Sequence, residues 1–109
     1  MGTRSQVFRG LQSPAGAAKI TPAMKPEEKL ATLRDEIDEI DARLVELLNA
    51  RAQRVLEIRD LKREAGMDPT DEDRERAIVE RVIEANPGPL NGHTLKEIFE
   101  LILRRFKEQ

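Results

Sequence analysis

The sequence of 109 residues contains no Cys, Trp or Tyr, and only one His. The absence of Cys excludes a disulfide framework and a cysteine-ligated metal, and a single His argues against a histidine-based metal site. No apolar run approaches the ~18 residues that a membrane span requires. The net charge is −2, so no overall positive field points to nucleic acid as the partner.

The residues that are present favour helices. Charged residues make up 37% of the chain and aromatic residues 3%, and Glu, Arg, Leu, Ala and Ile recur throughout. This composition is typical of an all-α protein, and the length suits one domain. No segment has the alternation that predicts a strand.

Apolar spacing and helix-ending residues predict three helices. The first begins near Pro26 and continues to Gly66, a suitable C-terminal cap. Asp68 or Thr70 is expected to cap the second helix, which ends before the Pro- and Gly-containing residues 86–89. The third helix runs from about Gly92 to the C-terminus.

The predicted first helix is too long for one compact domain of this size. It would hold ~39 residues and span ~58 Å, whereas such a domain is roughly 35 Å across. The two shorter helices cannot cover its apolar stripe, so another chain must do so. We therefore predict an intertwined homodimer that pairs the first helix with its copy. A coiled coil without any chemistry is the structural alternative.

Residues 1–26 differ in composition from the rest. They contain four basic residues, no acidic residue, three Gly and three Pro. We interpret them as a disordered N-terminal extension preceding a domain at residues 27–109. An acid-free segment with Arg and Ser also has the composition of an organelle transit peptide.

Two cations lie on the apolar stripe of the first helix. Relative to Leu47, Arg51 falls near 40° and Lys62 near 60°, within the arc occupied by the Leu and Ile residues. An inward-facing cation is costly unless a negative group meets it. Arg34, near 140°, lies at the edge of the stripe. The negative group comes either from the protein or from an anionic ligand.

The first turn of the second helix adds further polar groups on an inner face. Asp71, Arg74 and Glu75 are spaced three and four residues from apolar positions of that helix. Each has an ordinary structural explanation: Asp71 complements the helix dipole, Arg74 pairs with Glu75, and Arg34 is solvated. Arg54 is taken as structural. Taken together, the excess of inward cations favours a pocket for a small polyanion, because Arg and Lys suit carboxylate binding.

No familiar catalytic group accompanies this pocket. The single His, His93, is predicted in the loop before the third helix as a surface or capping residue, and no glycine-rich phosphate loop is present. Any chemistry would therefore depend on positioning and electrostatics and not on a nucleophile.

Four motifs in register resemble the all-helical class of chorismate mutases. They lie at residues 33–41, 47–51, 58–62 and 71–76, and the separations between Arg34, Arg51, Lys62 and Arg74 also fit. Residues 86–90, followed by Ile98 and Phe99, are similar to the mutase domains fused to 3-deoxy-arabino-heptulosonate-7-phosphate synthase. The resemblance covers residues 28–109.

The resemblance implies the isomerisation of chorismate to prephenate in the shikimate route to Phe and Tyr, by a Claisen rearrangement without cofactor or metal. By resemblance, Arg51 and Arg34, the latter from the partner chain of a homodimer, bind the two substrate carboxylates, and Lys62 donates to the ether oxygen. The same resemblance implies that Asp71, Arg74 and Glu75 position the ring hydroxyl and complete the pocket wall. Lys62, Arg51 and Glu75 are the expected catalytic residues.

The third helix departs from the family pattern. Phe106 stands where the family has a small polar residue, and the family's Gln (or Glu) would fall one position beyond Gln109. Gln109 is retained as a candidate substrate-binding residue that a one-residue slip would bring into the site. The alternative function is a regulatory domain of a fused synthase that binds chorismate or prephenate with little turnover. A cytoplasmic location is expected for the enzyme, with no nucleic-acid or membrane partner.

Overall fold

The computed structural model describes residues 20–107, and within them the chain is helical with no strand. Three helices follow one another: α1 at Pro26–Ala65, α2 at Glu72–Ala85 and α3 at Gly92–Lys107. The all-α prediction with a very long first helix is confirmed, since α1 has 40 residues. The chain divides into two units within α1, Met1–Ala50 and Arg51–Gln109. Residues 1–19 of the predicted N-terminal extension lie outside the described residues.

In the first unit, the apolar face of α1 remains accessible. Pro26 begins the helix and Glu27 and Glu28 occupy its first turn, where acidic groups complement the helix dipole. Further along, Leu33 is 46% exposed and Ile37 is 54% exposed. No hydrophobic side chain of the described residues is fully buried in the single chain.

The C-terminal end of α1 is closed by a glycine in the left-handed region. Gly66 has φ of +67°, a conformation that costs a residue without Cβ little. Its N–H donates to the Arg63 carbonyl at 3.3 Å, and the Met67 N–H donates to the Lys62 carbonyl at 2.8 Å. These are the two bonds of a Schellman cap. The predicted role of Gly66 is confirmed, and Lys62 lies in the last turn of the helix.

The start of α2 corrects one prediction. Asp71, and neither Asp68 nor Thr70, is the N-cap: its side chain accepts a hydrogen bond from the Arg74 N–H at 2.9 Å. Asp68 instead accepts bonds from the Thr70 N–H at 2.9 Å and the Thr70 hydroxyl at 2.8 Å. The cap falls later because Asp68 is engaged in the preceding turn. The Thr70 bonds, and to a smaller extent Lys62, hold the Asp68 pKa below its ordinary value.

The connection between α2 and α3 is organised by two Asn side chains. The Asn86 side chain donates to the Leu90 carbonyl at 2.6 Å and accepts from the Gly88 N–H at 3.1 Å. Asn91 caps α3 by accepting from the Thr94 N–H at 2.8 Å. Among the described residues, α2 and α3 form the most closely packed pair of helices.

The position of His93 also differs from the prediction. It lies inside the first turn of α3, not in the loop before it. Its Nε2 is 3.0 Å from a carboxylate oxygen of Glu97, one turn further along, and both side chains are largely exposed. The helix begins at Gly92, as predicted, because Asn91 supplies its cap, and His93 therefore falls within the first turn.

Candidate active site

A cavity of about 540 Å³ lies within the second unit, with every lining residue between positions 51 and 107. We call it the cationic pocket because charges of one sign dominate its wall. Its cationic lining residues are Arg51, Arg54, Arg59, Lys62, Arg74 and Lys107, and its carboxylates are Asp71 and Glu75. Six cations against two carboxylates leave the pocket positively charged in a chain whose net charge is −2.

An apolar surface accompanies these charges. Its residues are Val55, Ile58, Ile78, Leu103 and Phe106, drawn from all three helices. Apolar walls exclude water and lower the local dielectric, which strengthens the attraction between a bound anion and the surrounding cations. The pocket therefore suits a small polyanion that also has an apolar face.

Arg51 lies between an aromatic ring and a second cation of the pocket. The guanidinium carbon lies 5.1 Å from the centre of the Phe106 ring, within the range of a cation–π contact. Burial lowers the pKa of Arg51, and the nearby positive charge of Arg74 lowers it further. Arg stays charged even so. Two cations close enough to repel each other favour the binding of an anion between them.

The charged ends of the Lys62 and Arg74 side chains have no direct partner in the described part of the chain. Neither the Lys62 ammonium nor the Arg74 guanidinium makes a hydrogen bond or ion pair to residues 20–107. Lys62 is half-buried at the end of α1, whereas Arg74 is exposed near the start of α2. Both cations are available to an incoming ligand.

Glu75 is paired with a residue that the sequence analysis did not single out. Its Oε2 lies 2.8 Å from Nζ of Lys107, with the Glu75 side chain 29% exposed and that of Lys107 51% exposed. The expected alternative of an Arg74–Glu75 pair is therefore not what forms. The partner comes from the last turn of α3, so the ion pair joins α2 and α3 at the pocket.

Two further arginines line the pocket in different ways. Arg59, half-buried on α1, donates to the carbonyl of Phe106 at 2.9 Å and to that of Lys107 at 3.5 Å. Arg54 makes an exposed pair with Glu57 on its own helix at 3.1 Å. The Arg54 pair is consistent with its interpretation as structural, whereas the contacts of Arg59 were not foreseen.

The structure thus brings together Arg51, Lys62, Asp71, Arg74 and Glu75 around one cavity. Arg34 lies on α1 in the other unit and is exposed. Gln109 lies outside the described residues. Phe106, the departure noted in the third helix, contributes its ring to the pocket wall.

Within residues 20–107, no group of three His, Asp or Glu side chains is arranged to hold a metal ion. No helix in the same residues is long and apolar enough to cross a membrane.

The fold and the pocket define an all-helical domain with a positively charged cavity that suits a small polyanion. Comparison with known proteins assigns this domain to a family. The chain matches the model of "Chorismate mutase type II" over residues 33–109. It therefore belongs to the type II chorismate mutase family.

Solved structures and curated relatives agree with this assignment. The chain superposes on chorismate mutase (Form I) from Thermus thermophilus with a TM-score of 0.70 and 29% identity, covering 72% of this chain and 98% of that one. It is 34% identical over 55 residues to a chorismate mutase from Methanocaldococcus jannaschii, covering 50% of this chain and 56% of that protein. A bifunctional chorismate mutase/prephenate dehydratase from Aquifex aeolicus is 39% identical over 65 residues, 60% of this chain.

The matched region is only a part of the bifunctional relatives. The chain spans about a fifth of their length: 21% of the protein from Enterobacter agglomerans and 18% of that from Aquifex aeolicus. It matches the first of these at 31% identity over 81 residues.

Proposed function

We propose that this chain is an isomerase that converts chorismate to prephenate by an intramolecular Claisen rearrangement. The observation that carries the proposal is the set of three cations, Arg51, Lys62 and Arg74, around a cavity with an apolar surface in a member of this family. Chorismate is a dicarboxylate, which matches the excess positive charge. The rearrangement is concerted and requires no acid, base or nucleophile, so positioning and electrostatics are sufficient.

The two carboxylates are assigned to two arginines. Arg51 binds one of them from within the pocket, where partial burial strengthens a charge-assisted, bidentate contact. Arg34 of the partner subunit binds the other. Holding both carboxylates folds the substrate into the compact conformer in which the reacting carbons approach each other.

Lys62 is assigned to the ether oxygen, which gains negative charge as the carbon–oxygen bond breaks. Its ammonium has no competing ion pair within residues 20–107, so it is available to stabilise that charge. The ring hydroxyl is positioned by Asp71, Arg74 and Glu75, and Gln109 is the candidate second donor to the ether oxygen. Removing one such donor typically costs about 10²–10³ in turnover.

The functional form is a homodimer. The exposed apolar side chains of α1, including Ile37 at 54% and Leu44 at 48% exposed, support a partner helix on that face. A second copy of the chain both covers this stripe and brings Arg34 to the opposite pocket. The domain occupies residues 27–109, in keeping with the family match that begins at residue 33. A biosynthetic role supports a cytoplasmic location.

One observation favours a second candidate function. Phe106 contacts the Arg51 guanidinium, and Lys107 engages Glu75, so two expected catalytic groups already have partners. A domain that binds chorismate or prephenate and regulates a fused or partner synthase, with little turnover, would tolerate both contacts.

The deciding experiment follows the ultraviolet absorbance of chorismate with purified protein, alongside thermal unfolding with and without the compound. Loss of chorismate with formation of prephenate, abolished in Arg51→Ala but kept in Arg63→Ala, supports the mutase. Arg63 is a matched control because it is exposed on the same helix and pairs with Asp60 of that helix. Stabilisation by chorismate without turnover selects the regulatory function instead.

A further inference from the structure

We propose that Arg59 is a positioning residue that holds the C-terminal turn of α3 against the cationic pocket. Through that turn, Arg59 fixes Phe106 over Arg51 and Lys107 beside Glu75. The inference concerns the site described above, and its effect on catalysis rests on the proposed mutase function.

The first step is the contact itself. The last carbonyls of a helix have no partner within the helix, and they carry the negative end of its dipole. The Arg59 guanidinium, projecting from α1, donates to two of these carbonyls, those of Phe106 at 2.9 Å and Lys107 at 3.5 Å. A cation from one helix thus caps the end of another.

The second step is what the capped residues do. Phe106 places its ring 5.1 Å from the Arg51 guanidinium carbon. The next residue, Lys107, places its ammonium 2.8 Å from Glu75. Both contacts depend on the path of the same two consecutive backbone units to which Arg59 is bonded. Helix ends fray unless their free groups are satisfied, so loss of Arg59 releases both contacts together.

A comparison on the same helix separates this role from that of an ordinary surface arginine. Arg63 lies one turn after Arg59, is 72% exposed at its side chain and pairs with Asp60 of its own helix. Arg59 is half-buried, lines the pocket and reaches main-chain oxygens 47 and 48 positions away in sequence. Of these two arginines, Arg59 is the one whose hydrogen bonds tie α1 to the backbone of α3.

The test compares Arg59→Ala, Arg59→Lys and the control Arg63→Ala in two measurements. Amide hydrogen exchange reports on α3 without reference to activity. We expect faster exchange in the last turn of α3, residues 103–107, in Arg59→Ala, with the first turn unchanged. Arg59→Lys restores part of the protection, because an ammonium also bonds carbonyl oxygens, and Arg63→Ala leaves it as in the wild type.

Steady-state kinetics form the second measurement. Loss of a charge-assisted contact predicts a fall of about tenfold in kcat/KM for Arg59→Ala, mostly through KM because Arg51 and Glu75 lose their fixed neighbours. A double-mutant cycle with Lys107→Ala is expected to be non-additive, since Arg59 acts through that turn. Thermal unfolding of each variant confirms that the measured population is folded. If Arg59→Ala does not fold, Arg59→Lys replaces it in the exchange measurement, the kinetics and the double-mutant cycle.

The outcomes distinguish the two proposals. A wild-type protein without activity on chorismate removes the proposed mutase function, while the exchange data still decide whether Arg59 holds α3. Unchanged exchange in the last turn of α3 overturns the inference. So does a uniform loss of protection along α3, or strict additivity with Lys107→Ala, because either result assigns Arg59 a general structural role.

Discussion

The helix pair α2–α3 borders two concave surfaces of different charge. The cationic pocket, of about 540 Å³, has six cations against two carboxylates. The second surface, which we call the balanced groove, is larger at about 900 Å³, and its charged residues are Glu72, Glu75, Arg76, Glu80, Lys96, Glu100, Arg104 and Lys107. Four carboxylates face four cations there. Size would favour the groove, but the unmatched charge favours the pocket as the site of an anionic ligand.

The cations of the two surfaces differ in whether a carboxylate is available to pair with them. In the balanced groove, cations and carboxylates are equal in number and most of them are exposed, and exposed ion pairs contribute little because solvent screens them. In the cationic pocket, Arg51 is partly buried and Arg74 is near enough to lower its pKa. Matched charges compensate each other on the groove, whereas an unmatched excess of positive charge around the pocket favours an anionic ligand.

The largest expected effect comes from removing a pocket cation. Arg51→Ala should lower kcat/KM for chorismate by about 10²–10³. The variant loses the proposed contact to a substrate carboxylate, which holds the substrate in its reactive conformer. Arg104→Ala, from the balanced groove, should stay within about twofold of the wild type. Equal losses in both variants, measured by chorismate absorbance, would contradict the assignment of the pocket.

The second prediction tests whether the pocket is completed by a partner. Arg34→Ala and Arg51→Ala should each lose most activity as homodimers. Mixing them under subunit exchange produces heterodimers in which one pocket carries both changes and the other carries neither. We expect about half of wild-type activity per heterodimer, and about a quarter for a statistical mixture.

Subunit exchange must be demonstrated in the same mixture, for example with two distinguishable tags. No recovery of activity despite exchange would mean that both arginines act from one chain. This control distinguishes a mixture whose subunits did not exchange from one whose heterodimers formed without recovering activity.

A smaller effect is expected from salt. Raising NaCl from about 0.05 to about 0.5 M should raise KM about threefold, because added ions screen the attraction of the positive pocket for a dianion. Glu80→Gln, which leaves a charge excess in the groove, should show the same salt dependence as the wild type. A KM independent of salt would indicate that the net charge of the pocket does not contribute to binding.

The smallest effect concerns the loop that leads into the pocket. The Asp68 pKa is held below its ordinary value of 3.8, first by the Thr70 bonds. A lowered folded-state pKa means that the carboxylate stabilises the fold above pH 3.8 and that this contribution disappears as pH falls through the folded value. The small difference in melting temperature between the wild type and Asp68→Ala should therefore be constant near neutrality and vanish in acid. A difference that persists in strong acid, well below the folded value, would contradict this origin.

Much of this architecture was predictable from periodicity and from glycine and proline placement. The long α1, its end at Gly66 and the α2 and α3 helices followed from local signals that act within a few residues. The cap of α2 was not predicted correctly, because Asp68, Thr70 and Asp71 are all competent N-caps. The choice among them depends on Asp68 bonding Thr70.

The pocket was predictable only where its residues share a helix face. Arg51 and Lys62 stood out because they interrupt an apolar stripe. Arg59 lies near 120° on the same angular scale, outside the stripe, and therefore gave no periodic signal. Lys107 lies at the end of α3, where a cation is common because it complements the negative end of the helix dipole. Its position therefore gave no sign of a role in the pocket. Their contacts join residues far apart in sequence, which no local pattern encodes.

The N-cap of α2 has a consequence for how this domain can vary. One carboxylate, that of Asp71, both starts α2 through the Arg74 N–H and faces the pocket. Under the proposed function, the start of α2 and the binding of the ligand both depend on this one side chain, so a substitution of Asp71 would affect both. Asn or Ser would keep the helix start while removing the charge, whereas Glu would keep the charge and lose the cap. Few substitutions of Asp71 could therefore change the specificity of the pocket without also lowering the stability of the fold.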